Sequence, residues 1–158
     1  ALISIDDFDG AIRHAREAVL LGSGAIVNRV DVAAREILVA ASVRKSESLV
    51  GRRDYDAALK VLMAAREDAP DNLPVAVSIG NALLLKNDPK AALPYLEQAA
   101  NLDPRNAPIQ LALAAIYRRD NQIPKAIASL EKAVSLNPKD PSAPRLPAQL
   151  KAAPAAAK

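Results

Sequence analysis

Cysteine and tryptophan are absent from the 158 residues, and histidine occurs once. Without a thiol the chain cannot form a disulfide-stapled mini-domain, a cysteine-ligated metal or iron–sulfur site, or a thiol nucleophile. A lone histidine removes mechanisms that need a histidine pair. Aromatic residues make up 3%, which leaves few rings on which nucleic-acid bases could stack. No run of about 18 uninterrupted apolar residues exists to span a membrane. The most hydrophobic stretch, residues 25–43, is broken by Arg29, Asp31, Arg35 and Glu36. Proline is missing before Pro70 and glycine after Gly80, so the halves are punctuated differently. The chain opens on Ala1 with no recognisable signal sequence, which suits a processed product or a fragment.

What is present is small and apolar. Hydrophobic residues reach 51%, and 34 residues are alanine. A core is therefore affordable but must be made of short side chains. A chain of this length is most simply one domain, and folding it hides roughly 70% of its unfolded surface. The net charge is +3, with 10 basic and 12 acidic side chains in residues 1–72 and 11 and 6 in residues 73–158. These charges are interspersed, not clustered, so no nucleic-acid partner is expected.

Self-similarity is the strongest signal. Residues 39–72, 73–106 and 107–140 align without gaps at a period of 34. Position 20 of this repeat holds Ala58, Ala92 and Ala126; position 24 holds Leu62, Leu96 and Leu130; position 27 holds Ala65, Ala99 and Ala133. Position 32 is proline throughout, as Pro70, Pro104 and Pro138, and position 8 holds Ser46, Gly80 and Ala114. Two antiparallel helices per repeat explain the pattern. Small residues at positions 8, 20 and 27 admit close helix approach, and Leu59, Leu93 and Ile127 at position 21 join the leucines at 24 in one apolar stripe. Arg53-Asp54, Asn87-Asp88 and Asn121-Gln122 are placed as turns between the helices, with Asp88 as N-cap before Pro89. Pro74 and Pro108 start first helices, whereas Pro94, inside a second helix, removes one backbone donor.

These residues resemble the tetratricopeptide repeat family over residues 39–140. The resemblance implies an all-α, right-handed superhelix of stacked antiparallel helix pairs, a TPR-like α-solenoid. Departures occur at position 4, where Ser42, Ala76 and Gln110 stand in place of the family's frequent tryptophan, and at position 7 of the first repeat, which is Lys45. Upstream, residues 6–21 fit the second helix of a partial preceding repeat, with Ala11 at position 20 and Ala18 at position 27. Gly22-Ser23-Gly24 reads as an inter-helix turn. Residues 25–50 are then helical, either as one long helix or as two broken near Val39. Residues 145–153 are expected to form a short capping helix, within a Pro/Ala-rich tail that covers 141–158.

His14 lies mid-helix beside Arg13 and Arg16 and reads as a surface residue without converging partners. Asp6, Asp7 and Asp9 with Gly10 suggest a calcium loop, but its last ligand would fall on Arg16, so acidic residues favouring a helix dipole explain them better. Gly22-Ser23-Gly24 lacks the flanking pattern of a nucleophile elbow or a phosphate loop. No acid–base pair, metal-ligand spacing or nucleotide motif emerges, so no cofactor and no metal are expected and the chain is read as a non-enzyme.

The resemblance implies a concave groove lined by first-helix positions. Its partner-binding residues here are Val43 and Glu47; Val77, Asn81 and Leu84; and Leu111, Ala115, Arg118 and Arg119. The family's clamp for acidic C-terminal peptides uses lysine, asparagine and arginine, whereas the corresponding places here include Val43, Glu47, Ser78, Pro108 and Ala112, which argues against that ligand. An aliphatic strip with a few polar points suits an amphipathic helix or an extended apolar segment. The same side chains would also serve to pack against a neighbouring repeat. The chain is thus read as a scaffold or adaptor binding a protein or peptide partner. Its alanine-rich repeats resemble bacterial versions of the family, many of which serve envelope assembly, secretion or polysaccharide export, in the cytoplasm or the periplasm. A self-associating spacer, homo-oligomeric through exposed repeat ends, and the non-catalytic domain of a larger enzyme are the alternatives.

Overall fold

The computed structural model describes residues 5–21 and 28–137. Among these residues there are seven α-helices and no strand: α1 (Ile5–Leu21), α2 (Asn28–Gly51), α3 (Tyr55–Asp68), α4 (Leu73–Leu85), α5 (Pro89–Leu102), α6 (Ala107–Arg119) and α7 (Ile123–Leu136). The fold is all-α and built of TPR-like helices, as the 34-residue period requires. The turn expected at Gly22-Ser23-Gly24, the first residues of the extra segment and the capping helix with its tail lie outside the described residues.

The helix ends follow from local chemistry. The side chains of Asn72 and Asn106 accept from the backbone N–H groups of Val75 (3.2 Å) and Ile109 (3.3 Å), and Asp54 does the same for Ala57 (3.1 Å). Each supplies an acceptor to a first-turn N–H that has none within the helix. Pro74 and Pro108 occupy the second helical residue, where a missing N–H costs nothing. At the other ends, Pro70 and Pro104 follow Asp68 and Leu102 by two residues, so they mark helix stops. Pro94 sits exposed inside α5, and the helix continues through it.

The turn at repeat position 15 recurs with one backbone geometry. Arg53, Asn87 and Asn121 have φ of 62°, 65° and 58°. Each donates its N–H to the carbonyl three residues back, at 2.8, 2.9 and 3.1 Å, and the following residue donates to the carbonyl five residues back. This is a Schellman closure, which normally places glycine or asparagine in the left-handed region. Arg53 carries a β-carbon and no amide there. Arg53→Asn is therefore expected to stabilise the chain by about 0.5 kcal/mol, read as a higher urea midpoint at unchanged m-value. A lowered midpoint would refute the strain at this turn.

The described residues group into two compact units, one ending at Asp88 and one starting at Pro89. In the first unit α2 is the hub, since α1, α3 and α4 all pack against it. It is one uninterrupted helix of 24 residues, about 36 Å long, with no break near Val39. Ala34, Leu38, Ser42, Ser46 and Leu49 recur at three- and four-residue steps and are buried, as are Val39 and Ala41. Arg16 ties α1 to the end of α3, its Nε donating to Asp68 Oδ2 at 3.1 Å and its Nη2 to the Ala64 carbonyl at 3.2 Å. Lys45 of α2 pairs with Asp9 of α1. In the second unit α6 packs against both α5 and α7, burying Ile109, Leu113, Ile116 and Tyr117.

Repeat positions 20, 24 and 27 are buried in all three copies. Position 21 departs from the expected stripe, because Leu59, Leu93 and Ile127 are only half-buried. A step of one residue turns about 100° around the helix, so position 21 falls on the margin of the arc shared by 20, 24 and 27.

Candidate functional site

The expected groove residues are divided between the two units. On α2, Val43 is half-buried and Glu47 exposed, and both line a groove of about 560 Å³. Val39 and Ala40 extend its apolar lining along α2, while Asn72 and Pro74 close it from the start of α4. Glu36, Arg44 and Glu47 supply its charged edge. Asn72 takes part in this wall because its side chain is committed to capping Val75, which holds it in one orientation.

The remaining α4 residues lie elsewhere. Val77 and Leu84 are half-buried and Asn81 is exposed, but none of them lines the α2/α4 groove. Glu36, Val39, Ala40 and Pro74 are groove residues that sequence reasoning did not select. The signal for two of them existed, since Ala40 and Pro74 occupy repeat position 2, a groove position in the resemblance. Glu36 and Val39 precede or open the first repeat, and their contribution follows from α2 being continuous.

In the second unit the exposed face of α6 carries Leu111, Ala115, Arg118 and Arg119 together. Their spacing of four, seven and eight residues aligns them along one side of the helix. Leu111 remains 44% exposed, although it is a large apolar residue. Beneath this face, Tyr117 points into the unit. Its hydroxyl donates to Glu97 Oε1 at 2.5 Å, and Lys125 Nζ sits 5.3 Å from the ring centroid. Burial first, and the Glu97 carboxylate second, push the phenol up to about 12 from its ordinary 10.0. Tyr117 thereby links α5, α6 and α7 as a structural support under the exposed face.

His14 is a surface side chain, 3.8 Å from Glu17 on the same helix. Asp9 is engaged by Lys45 and is not part of a calcium loop with Arg16, which turns to Asp68. Among the described residues no three histidine or carboxylate groups converge, and no helix is long and apolar enough to cross a membrane.

Comparison with known proteins adds to this geometry. Residues 83–150 match a family model described as tetratricopeptide repeat. No curated protein matches the sequence. MamA from Desulfovibrio magneticus RS-1 is similar in structure, with a TM-score of 0.65 at 20% identity, over 94% of this chain and 86% of that one. The first TPR of Spaghetti (RPAP3), bound to the HSP90 peptide SRMEEVD, also scores 0.65 at 14% identity, over 72% of this chain and 90% of that one. The Yersinia enterocolitica type III secretion chaperone SycD, in complex with a peptide of the translocator YopD, scores 0.60 at 14% identity, over 72% and 86%. The 34-residue period, the helices spaced to match it and the repeat model matched over residues 83–150 together give the described residues a tetratricopeptide-repeat-like, all-α fold.

Proposed function

We propose that this chain is a protein-interaction scaffold without catalytic activity of its own, and that the exposed faces of its first helices capture a segment of a partner protein. In this reading residues 39–72, 73–106 and 107–140 are the repeats, and residues 1–38 are a partial preceding repeat plus the extra helical segment. The α2/α4 groove carries the proposal: an apolar strip of Val39 and Val43 edged by Glu47, Arg44 and the fixed amide of Asn72. Such a surface receives an amphipathic helix or an extended apolar segment. Two structural neighbours solved with peptides, RPAP3 and SycD, support peptide capture as the mode. A place in bacterial envelope assembly, secretion or polysaccharide export is the finer form of the proposal, and the alanine-rich repeats support it by resemblance.

The test combines Val43→Asp, Arg44→Ala and Glu47→Ala, all in the α2/α4 groove, in one chain and crosslinks it to partners in its source cells. Partner recovery is expected to drop at least about tenfold, with far-UV circular dichroism unchanged. A folded variant recovering the same partners at full yield would sink the groove assignment. Self-association is the second reading, favoured by Val32 and Ile37 of α2, which are 53% and 56% exposed. Light scattering on the unmodified chain separates the two, because only self-association makes the mass rise with concentration.

A further inference from the structure

The first repeat breaks the pattern of the others at positions 4 and 7. Position 7 is Ile79 and Leu113 in the later repeats, both buried, but Lys45 here. Position 4, where the resemblance implies a tryptophan, is the small and fully buried Ser42. Around these two residues α1, α2 and α3 leave a cleft of about 450 Å³. That volume lies within the range of roughly 300–1,000 Å³ typical of ligand pockets. Ile12 from α1, Leu49 from α2 and Val61 from α3 make its lining largely apolar. The cleft residues Ser42, Lys45 and Leu49 lie on the side of α2 opposite Val43 and Glu47, as about 100° per residue dictates, so this is not the α2/α4 groove.

The charge at this cleft is unbalanced. Three cationic side chains, Arg16, Lys45 and Lys60, line it against a single carboxylate, Asp9. Arg16 is engaged by Asp68 and Lys45 by Asp9. Lys60 is exposed and makes no hydrogen bond or ion pair among the described residues. An apolar lining under a surplus cation is complementary to a ligand that is apolar at its tip and anionic beside it.

We infer that the α1/α2/α3 cleft is a second protein-binding site, which takes an acidic segment carrying one bulky apolar side chain. The side chain enters over Ser42, filling the space that the family's tryptophan would take, and a neighbouring carboxylate meets Lys60. This site is independent of the α2/α4 groove. A partner engaging both would hold α2 from opposite sides.

The test uses the whole chain, isotope-labelled for amide NMR, and the acetylated, amidated pentapeptide Ala-Glu-Phe-Glu-Ala. Saturable shifts are expected at Ser42, Lys45, Lys60 and Val61. Binding is expected to weaken at least about fivefold for Ala-Gln-Phe-Gln-Ala, for Ala-Glu-Ala-Glu-Ala, and for the first peptide on Lys60→Glu. Ser42→Trp, which fills the cleft, is expected to abolish the shifts. Lys60→Glu keeps the test decisive if that tryptophan unfolds the chain, because Lys60 is exposed. Equal binding of the glutamine peptide, unchanged binding to Lys60→Glu, or no saturable shift up to about 10 mM peptide would each overturn the proposal. Shifts confined to Val43 and Glu47 would overturn it as well and would assign the peptide to the groove.

Discussion

Replacing Leu62 by alanine is expected to lower stability by about 2–5 kcal/mol, the largest effect of any single change considered for this chain. Leu62 is 0% exposed at repeat position 24 of α3, a helix that packs against both α2 and α4. Its neighbours along the stripe, Ala58 and Ala65, are themselves fully buried and too short to move into the space left behind. The cost therefore combines lost transfer free energy with a cavity that does not collapse. Leu130→Ala at the same repeat position in α7 is expected to cost less, because Leu130 keeps 7% of its surface in contact with solvent. Urea unfolding of the two variants checks this, with separate baselines if the two units unfold in separate steps. An equal or reversed order would show that the repeat positions are not comparable packing environments.

Tyr117→Phe is expected to cost about 1–3 kcal/mol at neutral pH. The change removes the hydroxyl that donates to Glu97 at 2.5 Å and leaves a half-buried carboxylate without that donor. The same hydrogen bond sets an alkaline limit on stability. Because the folded phenol titrates near 12 and the unfolded one near 10.0, the folded state holds its proton longer. The stabilisation is complete below pH 10.0 and is lost as pH rises toward about 12. Phenolate absorbance should show one late-titrating tyrosine that vanishes in Tyr117→Phe, and the variant should lose stability less steeply over that interval. An unchanged alkaline profile in the variant would remove Tyr117 as its cause.

Much of the fold is legible because its signals are local. A helix needs only neighbours three and four residues apart, so Ala58, Leu62 and Ala65 declare a buried stripe wherever they recur. Pro70 and Pro104 announce helix stops by chain sterics alone. The capping roles of Asn72 and Asn106 are equally local, since each side chain accepts from the backbone N–H three residues on. Position 21 went the other way. Its leucines suit an apolar stripe, but the burial arc is set by the angle at which neighbouring helices approach.

The candidate sites were less legible. Val43 and Glu47 were identifiable from repeat register, yet the groove they line also needs Glu36 and Val39, which become wall residues because α2 runs unbroken past the repeat boundary. The cleft over Ser42 had two sequence cues, the small residue at position 4 and Lys45 at position 7. Neither cue reveals that Arg16, about one helix away in space, reaches Asp68 at 3.1 Å, or that Lys60 stands over the same opening.

The amino-acid sequence settles the all-α class, the period, the helix ends and the innermost alanines and leucines, since each depends on residues within one or two helical turns. Tertiary structure decides how many helices press on α2, which half-buried residues face a groove, and which charges meet across helices. Those outcomes depend on approach distances between segments 30 to 52 residues apart, as for Lys86 with Asp56 and Arg16 with Asp68, and no local pattern encodes such distances.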